Sequence, residues 1–416
     1  MRRVLIVLGA LLFLAVGAAA GAYLWNKHRT RDIHGSATQE FETNEAPGAT
    51  TRPQPELLKE PWPQYGFDPE RTRFAPEFQL RPPYHRIWTV RGGQLIEFPP
   101  VVAYGRLYVA TSDGRFMAID AETGKVDWRS DLHRCTAASP AVANNVVYQP
   151  LMHGLPCGKP RSQPSFLVAM DAETGKVKWR FRAGVIETSP LLVDGRLFVG
   201  SWDKRVYALD TATGRKLWSF KTGDAVKGGA AFFNGTIFIG SYDGHVYALN
   251  ARTGKLRWRA TAQSRFGGIG NFYATPAVAY GRVYIGNTDG KVYAFGAQTG
   301  KLLWSKSTGN YVYSSAAVWD RRVYAGSYDG RFYALDAATG DVRWKFRASG
   351  QISGSPTVID GVVYFATLAR RTYGLDARSG ARVWSYPDGK YSPIVADEKR
   401  VYLTGYTRIY ALEPSG

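Results

Sequence analysis

Tryptophan recurs along this chain at a nearly constant spacing. Eight of the twelve tryptophans are 40, 51, 39, 40, 46, 40 and 40 residues apart, namely Trp88, Trp128, Trp179, Trp218, Trp258, Trp304, Trp344 and Trp384. Seven of them end the same phrase, which reads DAETGKVDW at residues 120–128 and DAATGDVRW at residues 336–344. A fixed period near 40 residues indicates an array of one supersecondary unit. The period constrains the fold strongly, but repeat scaffolds carry many different functions.

One unit of the repeat divides into four strand-like pieces. Residues 316–325 contain a short strand, a polar turn and the start of a second strand. The sequence GSYDG at 326–330 breaks the pattern, and Asp-Gly predicts a hairpin because both central positions of a type I′ turn need positive φ. The third and fourth strands are predicted at 331–336 and 341–346. Four strands in about 40 residues, separated by turn signals, are typical of a propeller blade.

The number of blades follows from the two ends of the repeat. After Trp384, three strand-like pieces at 393–396, 399–403 and 408–412 have no tryptophan strand of their own. The strand at 87–90, which contains Trp88, is left over at the other end. Pairing it with the C-terminal strands closes the ring and leaves no open sheet edge. We therefore predict an all-β fold, an eight-bladed β-propeller of four-stranded blades with a large aromatic wedged between neighbouring blades.

The repeat also resembles a known family. Residues 194–218 contain DGRLFVGS, then VYALD, then Thr-Gly and Trp, and this phrase is similar to the pyrroloquinoline-quinone (PQQ) type propeller repeat. The segment WPQYGFDPERTRF at 62–74 resembles the segment that precedes the first blade in such proteins. The resemblance covers roughly residues 61–416. Its superfamily includes quinoprotein alcohol dehydrogenases and non-enzymatic envelope propellers such as the BamB-type outer-membrane assembly lipoproteins, so it leaves both functions open.

The N-terminal residues are typical of a membrane element. An uncharged run of 22 residues covers 4–25, and roughly 20 apolar residues cross a bilayer. We predict a cytoplasmic tail at 1–3, a single-pass transmembrane signal anchor at 4–25, a flexible linker at 26–60 and the propeller at 61–416. Small residues at 18–22 leave a cleaved signal peptide as the alternative. The predicted location is a bacterial cell membrane with the propeller extracytoplasmic. No cysteine lies near the run, so lipid attachment of the BamB type is not available.

The two cysteines lie around the longest departure from the repeat. Cys135 and Cys157 lie near or within the proline-rich stretch at 149–165. A disulfide between them fits an oxidising compartment. His133 and His153 are close in sequence, so a Cys₂His₂ metal site is an alternative, and two free thiols are another.

The chain is strongly basic, with 53 Lys and Arg against 34 Asp and Glu. Such a charge attracts polyanions over a long range. An exported domain rarely meets nucleic acid, so an anionic lipid headgroup or an anionic envelope polymer is the better candidate. The alternative is a set of solvated turn cations, one per blade, at Lys125, Lys176, Arg215, Lys255 and Lys301.

One mouth of the axial channel is the candidate binding site. In propellers of this type, the loop after each tryptophan strand lines that mouth. Aligning the repeats places one residue per blade there, namely Glu97, Ala137, Glu187, Lys227, Tyr273, Tyr313, Ser353 and Lys390. The long loop at 261–273 adds Arg265 and Asn271, and arginine beside aromatic residues is typical of binding anchors.

From these positions we predict eight ligand-binding residues: Glu97, Glu187, Lys227, Arg265, Asn271, Tyr273, Tyr313 and Lys390. A solvated rim of salt bridges is the alternative for the mouth. A loop that only packs on the propeller face is the alternative for 261–273.

The dehydrogenase resemblance implies a more demanding site. That family has a calcium ion beside the quinone, an aspartate base and often two adjacent cysteines. Calcium takes six to eight oxygen ligands, and Glu97, Glu187 and Asn271 are the candidates here. Asp224 matches the base only loosely, and Cys135 and Cys157 are 22 residues apart.

We therefore predict a non-enzymatic scaffold or binding module in the cell envelope, without catalytic or metal-binding residues and without a cofactor. Its funnel face, including the loops at 145–165 and 261–273, is expected to dock an envelope protein or an anionic envelope polymer. The alternative is a PQQ- and calcium-dependent dehydrogenase, or a PQQ-binding sensor.

Overall fold

Eight antiparallel sheets form the blades of one closed ring, as the repeat period predicts. The structure is a computed structural model and describes residues 2–42, 60–157, 165–264, 268–391 and 394–415. The chain begins with helix α1 (Arg2–Arg29), strand β1 (Phe74–Ala75) and strand β2 (Tyr84–Arg91).

The first four blades follow in chain order, each with its innermost strand first. Blade 1 contains Val101–Ala103 (β3), Arg106–Ala110 (β4), Arg115–Asp120 (β5) and Val126–Asp131 (β6). Blade 2 contains Ala141–Ala143 (β7), Val146–Leu151 (β8), Ser165–Asp171 (β9) and Val177–Ala183 (β10). Blade 3 contains Leu191–Val193 (β11), Arg196–Ser201 (β12), Arg205–Asp210 (β13) and Lys216–Lys221 (β14). Blade 4 contains Ala231–Phe233 (β15), Thr236–Gly240 (β16), His245–Asn250 (β17) and Leu256–Thr261 (β18).

The other four blades complete the ring. Blade 5 contains Ala277–Ala279 (β19), Arg282–Gly286 (β20), Lys291–Gly296 (β21) and Leu302–Ser307 (β22). Blade 6 contains Ala317–Trp319 (β23), Arg322–Gly326 (β24), Arg331–Asp336 (β25) and Val342–Arg347 (β26). Blade 7 contains Thr357–Ile359 (β27), Val362–Thr367 (β28), Arg371–Asp376 (β29) and Arg382–Tyr386 (β30). Blade 8 contains Ile394–Ala396 (β31), Val401–Thr404 (β32) and Arg408–Pro414 (β33), with β2 as its outermost strand.

The ring closes through the leftover N-terminal strand, as predicted. Strand β2 pairs with β33 in antiparallel register, from Tyr84 opposite Pro414 to Arg91 opposite Arg408. The last blade therefore takes its outer strand from one end of the propeller and its inner strands from the other. This arrangement confirms the eight-bladed count.

At seven junctions of the described ring, the repeated tryptophan joins one blade to the next. The indole Nε1 of Trp128 donates to the carbonyl of Ala172 at 3.1 Å, and that of Trp218 donates to the carbonyl of Ala251 at 3.0 Å. The glycine of the Thr-Gly turn lies against the same ring: a Cβ on Gly254 would come within 2.7 Å of Trp218. The wedge expected from sequence is therefore confirmed, and it explains why the phrase contains both Thr-Gly and Trp.

The hairpin types differ in detail from the sequence expectation. At the Asp-Gly pair between β24 and β25, only Gly330 has positive φ. Two consecutive residues of positive φ occur instead in the hairpin between β23 and β24, at Asp320 (47°) and Arg321 (56°). The type I′ turn therefore joins the two inner strands of the blade, because that hairpin has the two-residue loop that this turn needs.

A plug segment, residues 62–75, closes the axial channel at one end. It runs around the ring and accepts one backbone N–H from the innermost strand of most blades in turn. The donors and acceptors are Val102 to Trp62, Val142 to Pro63, Phe232 to Pro69, Val278 to Glu70, Val318 to Thr72 and Val358 to Arg73. The segment ends as β1, which pairs in parallel with β27.

The buried guanidinium of Arg71 holds the plug from its inner side. Arg71 Nε donates to the carbonyl of Ala230 at 3.0 Å and Nη2 to that of Pro190 at 2.8 Å. Burial and the charge of Arg73 lower the pKa of Arg71 to about 9. These bonds connect the plug to the residues that directly precede the innermost strands of blades 3 and 4.

The N-terminal region differs from the expectation. Among the residues that the structure describes, no helix has the length and apolarity that a membrane span needs. The single-pass span predicted at 4–25 is therefore not supported. Within the expected linker at 26–60, residues 26–29 belong to α1 and residues 30–42 lie on the propeller, because their backbone carbonyls meet buried cations of blade 5. Residues 43–59 lie outside the described part of the chain.

Substitution of the interblade glycine tests the contact with tryptophan. Gly124 has φ +72° and a Cβ there would lie 2.7 Å from the Trp88 ring, whereas Gly105 has φ +68° with open space around it. We expect Gly105→Ala to lower the free energy of unfolding by about 1–2 kcal/mol through backbone strain alone. Gly124→Ala should lower it by about 1–3 kcal/mol more, because the ring must move. Urea unfolding of the two variants compares them, and equal losses would contradict the packing role of the glycine.

Candidate functional site

A cavity of about 430 Å³ lies on the propeller axis, next to the plug segment. Its walls come mainly from the loops that connect the outermost strand of one blade to the innermost strand of the next, and Tyr242 and Tyr328 are added from hairpins between second and third strands. The lining residues are Tyr65, Glu97, Phe98, Glu187, Ser189, Lys227, Gly228, Gly229, Tyr242, Tyr273, Ala274, Thr275, Tyr311, Tyr313, Ser315, Tyr328, Ser353, Gly354, Ser355 and Tyr391. The cavity is therefore the predicted mouth, with Tyr65 of the plug in its wall.

Most of the predicted site residues meet at this cavity. Five of the eight line it, namely Glu97, Glu187, Lys227, Tyr273 and Tyr313. Lys390 lies at its edge, with Nζ 4.8 Å from the ring centroid of the lining residue Tyr391. Asn271 is not among the lining residues, because its loop packs on the hairpin of blade 5 and its backbone N–H donates to Thr288 Oγ1 at 2.7 Å. Arg265 lies outside the described residues.

A belt of side-chain hydroxyls fixes the spacing of the walls. The backbone N–H of Gly229 donates to Thr275 Oγ1 at 2.9 Å, and that of Thr275 donates to Ser315 Oγ at 2.9 Å. The N–H of Ser315 in turn donates to Ser355 Oγ at 3.0 Å. Each bond joins one blade to the next at the same place in the repeat. These bonds therefore fix the spacing of the loops from blade 4 to blade 7.

Tyrosine rings form one continuous wall of the cavity. Tyr313 packs edge-on against Tyr273 and Tyr328, with ring centroids 5.1 and 5.0 Å apart. Tyr311 lies 5.8 Å from Tyr313, and Tyr242 lies 6.3 Å from Tyr273. Edge-on packing leaves ring faces and hydroxyl groups available to the cavity. Such a wall can contact an apolar group and hydrogen-bond a polar one.

The ammonium group of Lys227 lies between two aromatic rings. Its Nζ is 3.9 Å from the ring centroid of Trp202 and 4.6 Å from that of Tyr242. Cation–π attraction at such distances contributes about 0.5–2 kcal/mol. The rings therefore hold the positive charge of Lys227 beside the cavity.

The carboxylate of Glu187 is held by two donors. Tyr273 Oη donates to its Oε1 at 2.8 Å, and Trp202 Nε1 donates to its Oε2 at 2.9 Å. Burial, together with the charge of Glu187, raises the pKa of Tyr273 well above its ordinary value. Tyr273 therefore remains a hydrogen-bond donor at physiological pH.

The second carboxyl group, Glu97, has a pKa near neutral pH. Burial and the negative charge of Glu187 raise its pKa to about 7, although Lys390 acts in the opposite direction. A carboxyl that titrates at neutral pH can donate or accept a hydrogen bond. The cavity thus places Glu187, whose two oxygens accept hydrogen bonds, near a carboxyl group whose charge changes around neutral pH.

Sequence reasoning missed several aromatic residues of the wall. Trp202, Tyr242 and Tyr328 occupy the middle position of a Ser-x-Asp sequence, in SWD at 201–203 and SYD at 241–243 and 327–329. This hairpin joins the second and third strands of blades 3, 4 and 6, and its middle side chain reaches the cavity region. The recurring aromatic at that position was the available signal.

The donor set does not fit the calcium and quinone pair of the dehydrogenases. The cavity lining has two carboxyl groups, and both oxygens of Glu187 already accept hydrogen bonds. Within the described ranges, no group of three or more His, Cys, Asp or Glu residues is placed to hold a metal ion. Asp224, the loosely matched base, is not in the lining and pairs with Lys204 at 3.2 Å. Calcium needs six to eight oxygens, which these residues do not supply.

The predicted disulfide is confirmed. Cys135 and Cys157 are bonded, with their Cα atoms 5.6 Å apart. The backbone N–H of Cys135 also donates to the carbonyl of His153 at 3.0 Å. The bond pins the long blade 2 loop to the start of that blade. Neither cysteine lines the axial cavity.

The fold and its repeats define a β-propeller of the PQQ-like class. A family model described as outer membrane protein assembly factor BamB matches residues 80–153, 161–227, 202–317 and 288–416. These matches cover most of the chain, and the chain belongs to this family.

Individual relatives match over shorter stretches. BamB of Bordetella pertussis is 29% identical over 155 residues, which is 36% of this chain and 36% of that protein. The quinohemoprotein alcohol dehydrogenase of Comamonas testosteroni is 32% identical over 176 residues, which is 40% of this chain and 19% of that protein. The chain thus matches about a third of the length of the BamB relative.

Two solved structures show the same fold. BamB from Moraxella catarrhalis superposes with a TM-score of 0.65 at 17% identity, over 80% of this chain and 100% of that one. The Comamonas testosteroni dehydrogenase superposes with a TM-score of 0.71 at 15% identity, over 88% of this chain and 82% of that one. At these identities, the likeness establishes the fold alone.

The raised pKa of Glu97 predicts a pH-dependent stability. Protonated Glu97 favours the folded state, and this contribution is lost as the pH rises through about 7. We expect Glu97→Gln, which stays neutral, to raise the free energy of unfolding by about 1–2 kcal/mol at pH 8 and to change it little near pH 4. Urea unfolding at both pH values measures this difference. Glu173→Gln on an exposed turn is the control, and a gain at both pH values would contradict the assignment.

Proposed function

We propose that this protein is a non-enzymatic binding module of the bacterial cell envelope and that its axial cavity docks a partner protein. The observation that carries the proposal is the tyrosine wall around a partly open cavity. Tyrosine provides a large rigid contact area and a hydroxyl group at low entropic cost, which is why binding surfaces are rich in it. A volume of about 430 Å³ falls within the usual range of ligand pockets and accepts a few side chains of a partner loop.

The charges in the cavity also favour binding over catalysis. Lys227 is held between Trp202 and Tyr242, and both oxygens of Glu187 accept hydrogen bonds from neighbouring rings. These groups are positioned as fixed recognition points. Covalent catalysis requires a nucleophile and a base within hydrogen-bonding reach of each other. Lys227, Glu187 and the rings around them do not form such a pair.

The location in the envelope is supported by the disulfide and by the family. Disulfides persist in oxidising compartments outside the cytoplasm, and Cys135 and Cys157 form one. The family description and the Bordetella pertussis relative both name an outer membrane protein assembly factor. We therefore place the propeller outside the cytoplasm, with an envelope protein as the partner. An anionic envelope polymer is the competing ligand.

A site-specific crosslinker on the full chain tests the docking face. We expect a photoreactive residue at Tyr311, which is 45% exposed beside the cavity, to capture an envelope protein. The same residue at Val342, which is 39% exposed on the outer strand of blade 6, should not capture it. Tyr328→Ala in the wall should reduce the Tyr311 product several-fold, because it removes one ring of the recognition surface. Equal products at both positions would contradict the proposal.

The dehydrogenase matches make PQQ the second candidate ligand. Titration with PQQ, with and without Ca²⁺, is followed by calorimetry and by alcohol-dependent dye reduction. We expect neither binding heat nor dye reduction, since the lining offers too few calcium ligands. Calcium-dependent binding with dye reduction would replace the proposal with a quinoprotein dehydrogenase. Binding without turnover would indicate a sensor.

A further inference from the structure

The chain lays its own residues 30–42, here called the strap, over blades 5 and 6, from the outermost strand of blade 5 to the turn between its two inner strands. Ile33 pairs with Ser305 of the outermost strand of blade 5, where the N–H of Ile33 donates to the Ser305 carbonyl at 3.1 Å. The N–H of Ser305 donates back to the Ile33 carbonyl at 3.0 Å. The N–H of Gly35 then donates to the carbonyl of Thr339 in blade 6 at 3.0 Å. The strap therefore adds to a sheet edge and bridges to the next blade.

Two buried cations of blade 5 receive the strap carbonyls. Arg282 Nη2 donates to the carbonyls of Ser36 at 2.8 Å and Gln39 at 2.5 Å, and its Nε donates to that of Glu40 at 3.0 Å. Lys291 Nζ donates to the carbonyl of Arg31 at 3.2 Å and also to that of the preceding residue. Buried charges need such partners, since a buried charge without one strongly destabilises the fold.

Acidic and aromatic side chains of the strap complete the contact. Asp32 accepts from Lys306 Nζ at 2.9 Å and from the N–H of Ser307 at 2.8 Å. The Phe41 ring stacks on Tyr280 with centroids 5.3 Å apart, and the guanidinium of Arg282 lies 4.9 Å from its centre.

Close packing around Gly35 makes the groove selective for glycine at this position of the strap. A Cβ at this position would lie 2.4 Å from the carbonyl oxygen of Ala338 and 2.8 Å from Trp304 Cδ1. Even alanine therefore does not fit without displacing the strap.

Comparison among the blades shows that this groove is specialised. Trp304 is fully buried, whereas the other repeated tryptophans are half-buried. Arg282 is 0% exposed, while Arg106, Arg196 and Arg322 at the same place in other blades are half-buried. Arg400 of blade 8 is also buried, but it pairs with the carboxylates of Glu122 and Glu413, whereas Arg282 donates to carbonyls of the strap. The full burial of Trp304 and the strap partners of Arg282 therefore distinguish this groove.

We propose that the groove between blades 5 and 6 is a specific binding site for an extended acidic peptide and that the strap is its ligand within the same chain. The groove supplies Arg282, Lys291 and Lys306, and the strap supplies Asp32 and main-chain carbonyls. Recognition then rests on strand pairing, a glycine over Trp304 and an aromatic side chain over Tyr280. Sheet-edge addition with side-chain pockets is an established mode of peptide binding. A peptide of this pattern from outside the chain is expected to occupy the same groove when the strap is displaced.

Hydrogen exchange on the full-length chain tests this site. In Gly35→Ala, the amide of Ser305 should exchange at least about tenfold faster, because it loses its bond to the Ile33 carbonyl. Ala37→Ser, at an exposed strap position, is the matched control and should exchange like the parent chain. A synthetic peptide of residues 30–42 added to the Gly35→Ala protein should restore protection at Ser305. The same peptide with alanine at the Gly35 position should not.

A charge test on the same assay separates specific binding from general attraction to a basic protein. In the double variant with Gly35→Ala, Lys306→Ala should weaken binding of the peptide several-fold, since the partner of Asp32 is lost. Lys301→Ala, which removes an exposed turn cation of the same blade, should leave its binding unchanged. Unchanged exchange in Gly35→Ala, or failure of saturating peptide to restore protection, would overturn the proposal.

Discussion

The contact of the repeated tryptophan with the next blade, which recurs at seven junctions of the ring, is the interaction on which the rest of the structure depends. The indole donates to a main-chain carbonyl 32 to 44 residues further on, as from Trp344 to Ala377 at 3.1 Å, and a glycine of positive φ lies against the ring. A side chain on that glycine would separate the blades. Because the contact is repeated around the ring, it sets the angle between blades and hence the width of the axial channel in which the cavity forms.

The plug segment turns that channel into a blind cavity. It accepts backbone N–H groups from successive inner strands, and Tyr65 from it enters the cavity wall. Inner strands of a propeller would otherwise present unpaired donors to the channel, and buried unpaired N–H groups are costly. The same bonds therefore stabilise the ring and place Tyr65 of the plug in the wall of the site.

The period of the tryptophans predicted the eight blades and the ring closure by β2. The cavity positions of Glu97, Glu187, Lys227, Tyr273 and Tyr313 were predicted by aligning the repeats, with the loop that lines the mouth taken from the family resemblance. These follow from repetition, since equivalent positions must lie on equivalent parts of each blade. The pairing of Glu187 with Trp202 and Tyr273 was not predictable, because it joins side chains from three different loops. The strap was missed for a related reason: its polar sequence has no apolar period, and its contacts are mainly main-chain carbonyls to buried cations.

The cavity and the strap groove use the same propeller in different ways. In the cavity, cations and carboxylates are held by aromatic rings that belong to the repeat, so the charges remain available on a fixed ring. In the groove, the cations Arg282 and Lys291 are buried by a segment from outside the repeat. A basic propeller of this kind can therefore carry two separate recognition surfaces, one on its axis and one between blades 5 and 6. Since different residues form the two surfaces, a ligand at one need not exclude a ligand at the other.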